Sequence, residues 1–155
     1  MKDKNYEIDN VDKQILDILV RNAKKPYTEV AKKVYVSGGT VHVRMKKMED
    51  MGLITGTTLL LDYTKLGYDI TAFIGIFLEK SILYDQVIEK LKLIPEITNL
   101  HYTTGNYSIF AKVLCKDTAH LKDILYDKIQ KIKGISRTDT MISLEESLKR
   151  ELVLD

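Results

Sequence analysis

The sequence has a single cysteine, Cys115, and it has no tryptophan. One cysteine cannot form a disulfide within its own chain, and unpaired cysteines are typical of the reducing cytoplasm. The sequence also has no run of about 18 apolar residues, so it predicts neither a transmembrane helix nor a membrane partner. Residues 1–10 are charged and contain no apolar stretch, which argues against a secretory signal. We therefore expect a cytoplasmic protein.

The chemical signatures of enzymes and metal sites are missing as well. The sequence contains no glycine-rich phosphate loop and no Gly-x-Ser-x-Gly or Ser-x-x-Lys nucleophile motif. The histidines, His42, His101 and His120, fall on different predicted elements without metal-ligand spacing. His101 and Cys115 could meet across adjacent strands, where a buried pair is a simpler expectation than a metal site. We therefore predict no enzyme activity, no metal and no cofactor.

What the sequence does contain is a concentration of positive charge. Residues 21–47 hold eight lysines and arginines but one acid, Glu29, which gives a local charge of +7 in a chain of net charge +2. Residues 1–52 have 11 basic and 8 acidic side chains, whereas residues 53–155 have 13 and 14. This asymmetry indicates one part of the chain that meets a polyanion and another part with a different task.

Hydrophobic spacing predicts three helices in the basic part of the chain. The first covers about 10–22 and begins after Asp9, a good N-cap residue. Thr28 is the expected cap of the second helix. The third helix begins after Ser37 and ends before Gly52. Short helices of this kind, with a basic last member, form the helix-turn-helix pattern of DNA-binding proteins.

The third predicted helix separates an apolar stripe from a polar face. Val41, Met45 and Met48 recur at the spacing of buried residues. The opposite face and its flanks carry side chains that can reach phosphates, base edges or a thymine methyl group. The predicted DNA-binding residues are Ser37, Thr40, His42, Val43, Arg44, Lys46 and Lys47.

A solvated surface is the alternative explanation for this basic face. Arg44 would then pair with Glu49 or Asp50 farther along the same helix. The basic second helix and the Ser37 turn beside it favour DNA contact over this alternative.

The chain after Gly52 predicts a second, mixed domain. Residues 57–61 form a predicted strand, the wing of a winged helix, and residues 62–67 form a linker. The remaining elements follow the order β-α-β-β-α-β over about 70–79, 82–94, 97–103, 107–115, 118–132 and 136–144. We therefore predict an α+β protein with a winged helix-turn-helix domain over 1–62 and a ferredoxin-like βαββαβ domain over 63–155. Because helices cover one face of such a sheet, its apolar other face predicts a homodimer.

The tight turn between the two middle strands contains a second group of candidate residues. These are Tyr102, Thr104, Gly105, Asn106, Tyr107 and Ser108. Gly105 permits close approach of a ligand, and Asn106 and Ser108 offer donors and acceptors that suit a carboxamide. The alternative is an ordinary hairpin in which Gly105 and Asn106 serve only to adopt a positive φ.

Taken together, the basic winged helix and the βαββαβ domain resemble the Lrp/AsnC, or feast/famine, family of transcription regulators, over about residues 8–145. The segments that carry the resemblance are Ile8–Asp12, Ser37–Arg44, Gly52–Gly56, Leu66–Asp69 and Tyr102–Phe110. Within the family, the chain is most similar to asparagine-responsive members, which share the Thr-Thr-Gly-x-Tyr-Ser pattern found here at residues 103–108.

The resemblance implies a sequence-specific regulator that binds double-stranded DNA and controls amino-acid, specifically asparagine, metabolism genes. It implies a dimer formed through the βαββαβ domain, often assembled into an octamer. It also implies an amino-acid effector bound between dimers near the turn at 104–108. Much of the family has acidic residues where this chain has Asn106 and Ser108, which argues against a leucine-type site. Asparagine is the favoured effector.

Two residues depart from the family pattern. Tyr35 stands in the turn where the family often has glycine, and since a left-handed tyrosine costs energy, we expect an altered turn. Gly38 stands where proline is common and leaves the start of the third helix less rigid. Two other functions stay open. One is an effector-independent architectural DNA-binding protein, and the other is an amino-acid-sensing regulatory subunit of an enzyme.

Overall fold

The computed structural model describes residues 6–152 of the chain. The helices are α1 (Asn10–Arg21), α2 (Tyr27–Lys33), α3 (Gly38–Asp50), α4 (Tyr84–Leu91) and α5 (Thr118–Asp123). The strands are β1 (Ile70–Leu78), β2 (Ile97–Tyr102), β3 (Ile109–Cys115) and β4 (Ile135–Ile142). The described residues divide into two units, 6–60 with 148–152 and 61–147.

The caps of α1 and α3 form as the sequence predicts. The Asp9 carboxylate accepts a hydrogen bond from the Asp12 backbone N–H at 2.9 Å, and the Asp12 carboxylate accepts one from the Asp9 N–H at 3.1 Å. This reciprocal capping box satisfies two N–H groups that α1 itself cannot bond. Ser37 Oγ accepts from the Thr40 N–H at 3.0 Å and caps α3. Gly52 follows α3 with a φ of 84°, as expected of a residue that ends a helix.

The start of α2 differs from the prediction. Thr28 does not cap this helix, because Pro26 occupies the N-cap position and no side chain caps there. The fixed φ of proline suits the start of a helix, where its missing N–H is not needed.

The turn between α2 and α3 also differs from the prediction. Tyr35 has a φ of 56° and is the one non-glycine residue with a positive φ among residues 6–152. The expected change of turn geometry is therefore wrong: the turn keeps a left-handed residue, and tyrosine bears the strain. The Tyr35 side chain is 93% exposed, so packing offers little compensation.

The helices of the first unit enclose a small apolar core. Its buried members are Ile15, Leu19, Val30, Ala31, Val34, Val41, Met45 and Met48. The predicted stripe of α3, Val41 with Met45 and Met48, is thus confirmed. The opposite face of α3, which carries His42, Val43 and Lys46, is exposed to solvent.

The segment after α3 does not form the predicted wing strand. Residues 57–61 have no partner strand within residues 6–152, and the side chains of Leu59 and Leu60 are exposed. An apolar run becomes a strand only when a neighbour supplies ladder hydrogen bonds. The predicted linker contains a 3-10 turn, Tyr63–Leu66, which ends at Gly67 with a φ of 81°.

The second unit confirms the βαββαβ order. Its antiparallel sheet has the strand order β2-β3-β1-β4. A 3-10 turn, Ser81–Leu83, precedes α4, and a π-helical turn, Ile124–Ile129, continues α5. The helices and one sheet face bury Ala72, Ile74, Ile76, Val87, Leu91, Ile109, Ala111, Val113, Leu121, Ile124 and Ile129. We call the other face, which these helices do not cover, the open sheet face.

The strand register separates His101 from Cys115. His101 on β2 lies opposite Phe110, whereas Cys115 lies opposite Ile70 at the other end of β3. His101 is exposed and Cys115 is buried. The expected pair of these two side chains is therefore wrong. In residues 6–152, every helix is too short or too polar to cross a lipid bilayer.

Candidate functional site

The outward face of α3 presents polar side chains around one exposed valine. The Val43 side chain is 53% exposed. His42 is exposed beside Tyr27 of α2, with their ring centroids 6.2 Å apart. The Thr40 hydroxyl lies 2.8 Å from the Ser37 hydroxyl, so the cap also fixes the Thr40 side chain. This face offers hydroxyl, imidazole and methyl groups to an incoming molecule.

The two lysines of this face differ in their surroundings. Lys46 Nζ forms an ion pair with Asp50 Oδ1 at 2.9 Å, one turn along α3, and this contact raises the Lys46 pKa. Lys47 Nζ lies 5.0 Å from the centroid of the Tyr6 ring, a cation–π distance. Both ammonium groups lie at the surface of α3 from which they can reach phosphates.

Arg44 is held by acids that precede α3 in the sequence. Its Nη1 donates to Asp9 Oδ2 at 2.7 Å and to Asp12 Oδ1 at 2.9 Å, and it lies 3.3 Å from the Tyr6 hydroxyl. The alternative in which Arg44 pairs with an acid of its own helix is therefore wrong, since Asp50 pairs with Lys46 instead. Hydrogen bonds to Asp12 and Asp9 raise the Arg44 pKa above its ordinary value.

Tyr6 and Asp12 belong to this site although neither is among the predicted DNA-binding residues. The Asp12 side chain is fully buried and carries a charge that Arg44 compensates. Burial and the hydrogen bond to Asp12 raise the pKa of Tyr6. The spacing of Asp9 and Asp12 was a signal for a capping box, but no local pattern connects Asp12 with Arg44, which lies 32 residues away.

A cleft of about 510 Å³ lies along one side of α3. Its lining residues are Tyr6, Asp9, Ser37, Gly39, Thr40, Val43, Arg44 and Lys47. The structure thus brings five of the seven predicted DNA-binding residues together at one concave surface. His42 and Lys46 are exposed on α3 but do not line this cleft.

The turn between β2 and β3 is built by backbone hydrogen bonds. The Thr103 N–H donates to Ser108 O at 3.2 Å, and Thr103 Oγ1 donates to Tyr107 O at 2.8 Å. The Ser108 N–H donates to Ile76 O on β1 at 3.0 Å. Gly105 has a φ of 98° and makes the reversal possible. Residues 104–106 are exposed at its tip.

The two tyrosines that flank this turn pack on opposite faces of the sheet. Tyr102 lies on the helix side, with its ring centroid 4.3 Å from that of Tyr84 in α4, and it is 65% exposed. Tyr107 lies on the open sheet face, where its ring meets the Phe77 ring edge-on at 5.2 Å. The Tyr107 ring also covers the backbone of Gly75. The predicted effector residues therefore form a turn with side chains directed to both faces.

The titratable groups of the second unit do not assemble into a reactive centre. Burial raises the pKa of the Cys115 thiol to about 11. His120 Nε2 and Lys128 Nζ both contact Glu96 Oε1. Within residues 6–152, no three His, Cys, Asp or Glu side chains form a group that could hold a metal ion.

Comparisons with known protein families agree with this division of the chain. A family model described as winged helix-turn-helix DNA-binding matches residues 8–55. A second model, described as Lrp/AsnC ligand binding domain, matches residues 71–153.

Similar proteins and structures cover nearly the whole chain. The regulatory protein AsnC of Haemophilus influenzae is 45% identical over 147 residues, which cover 95% of this chain and 98% of the relative. AsnC of Escherichia coli K12 is 44% identical and covers 96% of this chain and 97% of the relative. The solved structure of E. coli AsnC superimposes with a TM-score of 0.91 at 42% identity, over 96% of this chain and all of that one.

A more distant structure shares the fold alone. It is a transcriptional regulator from Neisseria meningitidis in complex with L-methionine, with a TM-score of 0.90 at 19% identity. It covers 96% of this chain and 97% of that one.

Proposed function

Because the chain belongs to the Lrp/AsnC family of transcription regulators, we propose that it couples an amino-acid signal to DNA binding. Its relatives are named regulatory proteins, and residues 8–55 of this chain match a DNA-binding helix-turn-helix, so the chain is a DNA-binding regulator and not an enzyme. We assign DNA binding to the unit that contains α1–α3, and effector binding and dimerisation to the unit that contains the sheet. The cytoplasm is the compartment that fits this function.

The observation that carries the DNA-binding proposal is the uncovered face of α3. An α-helix fits the major groove, where hydroxyl, imidazole and methyl groups contact base edges. Thr40, His42 and Val43 are the proposed readers of bases. Lys46 and Lys47 are the proposed phosphate contacts, and Ser37 fixes the start of the helix that carries them.

The phosphate contacts are tested by replacing both lysines with alanine. Lys46→Ala with Lys47→Ala should weaken binding to every DNA sequence and reduce the salt slope by about 1 for each phosphate that a lysine no longer neutralises. Fluorescence anisotropy across a salt series measures both quantities. Lys92→Ala with Lys131→Ala is the control, since these lysines are exposed and ion-paired, as Lys46 is, but lie in the second unit. Equally weakened binding in the two double variants would contradict the proposed docking.

The open sheet face is the proposed dimer interface. Phe73 and Phe110 lie stacked on it with centroids 5.8 Å apart, and Met141 lies opposite Phe73 with 43% of its surface exposed. A second copy of the chain would cover this apolar surface. In such a dimer, the two α3 helices would read half-sites about one DNA turn apart, or a multiple of that distance. Further assembly to an octamer would place effector turns between dimers.

Light scattering at micromolar concentration tests the dimer. We expect a mass of at least twice 17.8 kDa, and a monodisperse species of 17.8 kDa would contradict the proposal. Met141→Asp should shift the equilibrium toward monomer, because it places a charge in the interface. Val20→Asp is the matched control, since Val20 is 44% exposed but lies on α1.

Asparagine is the proposed effector, bound at the turn of residues 104–108. The turn offers backbone groups around Gly105 together with the Asn106 amide and the Ser108 hydroxyl. These groups can both donate and accept, which suits the ammonium, carboxylate and carboxamide of asparagine. The Thr-Thr-Gly-x-Tyr-Ser pattern at 103–108 supports the same assignment. Control of asparagine metabolism genes is the corresponding biological role.

Thermal unfolding with each of the twenty amino acids tests the effector. A ligand at 100 times its Kd adds about 2.7 kcal/mol, which corresponds to a rise in Tm of about 5–10 °C. We expect this rise with asparagine and a smaller one in Asn106→Ala. Asn99→Ala, an exposed asparagine on β2, is the control that should keep the rise. A shift with a different amino acid would keep the mechanism and replace the effector.

Two rival functions make different predictions in the same assays. An architectural DNA-binding protein would bind specific and random DNA equally and would show no shift with any amino acid. A regulatory subunit of an enzyme would bind no DNA even at low salt, and the outward face of α3 would then have no evident role.

A further inference from the structure

The geometry assigns Arg44 a positioning role: it fixes the orientation of α3 against the start of α1 and does not itself contact DNA. This inference rests on the proposed DNA binding through α3. It adds Tyr6 and Asp12, neither of which was predicted from the sequence, to the residues that determine DNA affinity. We call the four residues Tyr6, Asp9, Asp12 and Arg44 the N-terminal clamp.

The buried acid of the clamp is Asp12. Its side chain is fully buried, and the Tyr6 hydroxyl lies 2.8 Å from each of its two oxygens. Its Oδ1 also accepts from Arg44 Nη1, and its Oδ2 accepts from the Asp9 N–H. A buried carboxylate is stable only when charges and donors of this kind surround it. Arg44 is the cation among the clamp residues.

The clamp connects the middle of α3 with the first turn of α1. Asp9 and Asp12 cap α1 reciprocally, so their carboxylates are fixed by the backbone of that helix. Arg44 directly follows Val43 and lies about one helical turn after Thr40 on α3. A guanidinium held at this point therefore restricts rotation of α3 about its own axis, which decides where Thr40 and Val43 point.

Arg44 would have to leave this arrangement in order to read a base. Arginine commonly contacts guanine through both of its terminal nitrogens. Turning Arg44 toward DNA would leave the buried Asp12 carboxylate without its cationic partner. Breaking a buried ion pair in this way is strongly destabilising. The Arg44 side chain is 24% exposed and borders the cleft, but its guanidinium is ion-paired with Asp9 and Asp12. Lys47, which lies over the Tyr6 ring, is the freer cation at the same surface.

Asp12→Asn separates positioning from direct contact, because the buried Asp12 cannot touch DNA. Removal of a negative charge near a polyanion should by itself tighten binding. If Arg44 positions α3, Asp12→Asn instead weakens binding by at least about tenfold, Arg44→Gln weakens it similarly, and the double variant binds no more weakly than the single ones. Asp17→Asn, which removes a half-buried acid of α1 that pairs with Arg21, is the matched control and should not weaken binding.

The probe is a labelled duplex selected from a random pool by the wild-type protein, and binding is measured by anisotropy across a salt series. Positioning leaves the salt slope of Arg44→Gln unchanged, whereas removal of a cation that neutralises a phosphate reduces it by about 1. Tyr6→Phe, which removes one hydroxyl from the clamp, provides a milder variant if Asp12→Asn unfolds. In NMR spectra, the Arg44 side-chain resonances of the wild type should not move when DNA is added.

The results distinguish this inference from the function on which it rests. A wild-type protein that binds no duplex at low salt overturns the DNA-binding proposal and the inference with it. A wild-type protein that binds, with full affinity in Asp12→Asn and Tyr6→Phe but reduced affinity and slope in Arg44→Gln, overturns the inference alone. Arg44 would then be a DNA contact.

Discussion

Replacement of Gly75 by alanine should disturb the open sheet face through a single methyl group. Gly75 lies in the middle of β1, and the ring of Tyr107 lies directly over it. A Cβ at residue 75 would fall 2.5 Å from two carbons of that ring, whereas ordinary contacts begin near 3.4 Å. The ring must therefore retreat by about 1 Å, because the strand backbone is held by ladders on both sides.

The magnitude follows from two opposing effects. Overpacking of this kind costs about 1–3 kcal/mol, and disruption of the edge-on packing against Phe77 adds about 0.5–1.5 kcal/mol. Alanine loses less backbone entropy than glycine on folding, which stabilises the variant by about 0.5–1 kcal/mol and offsets part of this cost. We therefore expect Gly75→Ala to lower the free energy of unfolding by about 0.5–4 kcal/mol.

Urea unfolding of four variants tests this reasoning. Gly75→Ala should be much less harmful in a Tyr107→Ala background, since the ring that causes the clash is gone. Gly39→Ala is the control: the nearest atom to its added Cβ is Ser37 Oγ at 3.8 Å, so this variant should be stabilised by about 0.5–1 kcal/mol. An equal cost of Gly75→Ala in both backgrounds, or no cost at all, would refute the explanation by ring contact.

Other residues allow shorter tests. Tyr35→Gly should raise the free energy of unfolding by about 1 kcal/mol, because glycine adopts the left-handed turn without strain, while Tyr35→Ala should not. Cys115 should react with iodoacetamide at pH 8 only after unfolding, since burial raises its pKa to about 11; labelling in the native state would contradict this. Burial alone would raise the pKa of Glu96, but the bond to Lys128 and that to His120 outweigh it, and the pKa is lowered. Glu96 therefore stabilises the fold above its unfolded pKa of about 4.3, and this contribution disappears as the pH falls through the lower folded value. Urea midpoints between pH 7 and 3 should decline less steeply in Glu96→Gln.

Local features of the sequence predicted most of the helices and strands correctly. The cap at Asp9, the cap at Ser37 and the C-terminal glycine at Gly52 mark helix ends through bonds to residues two or three positions away. The βαββαβ order was also predictable from local sequence, because the spacing of apolar residues changes between the helices and the strands. Thr28 failed as a cap because Pro26, two residues earlier, already suits the first turn.

Strand predictions failed where a partner was required. The apolar run at 57–61 has the composition of a strand. A strand also needs a neighbouring strand for its backbone hydrogen bonds, and composition does not show whether one is present. His101 and Cys115 lie on adjacent strands, yet the register places them at opposite ends of β3. Both errors arise because pairing is decided by the whole sheet and not by the segment.

The sequence by itself determined that the chain has a basic helix-turn-helix and a βαββαβ domain. Each of these was predicted from caps, charges and apolar spacing, and each such signal spans only a few neighbouring residues. Only the tertiary structure decided the partners of Arg44 and the fit of Tyr107 over Gly75. Those contacts join residues 32 or more positions apart, and burial of a charge or closure of a gap depends on distances that no local pattern encodes. Asp9 and Asp12 bear the same formal charge as Glu49 and Asp50 in the sequence. Only the packing of α1 against α3 determines that Arg44 pairs with the first two.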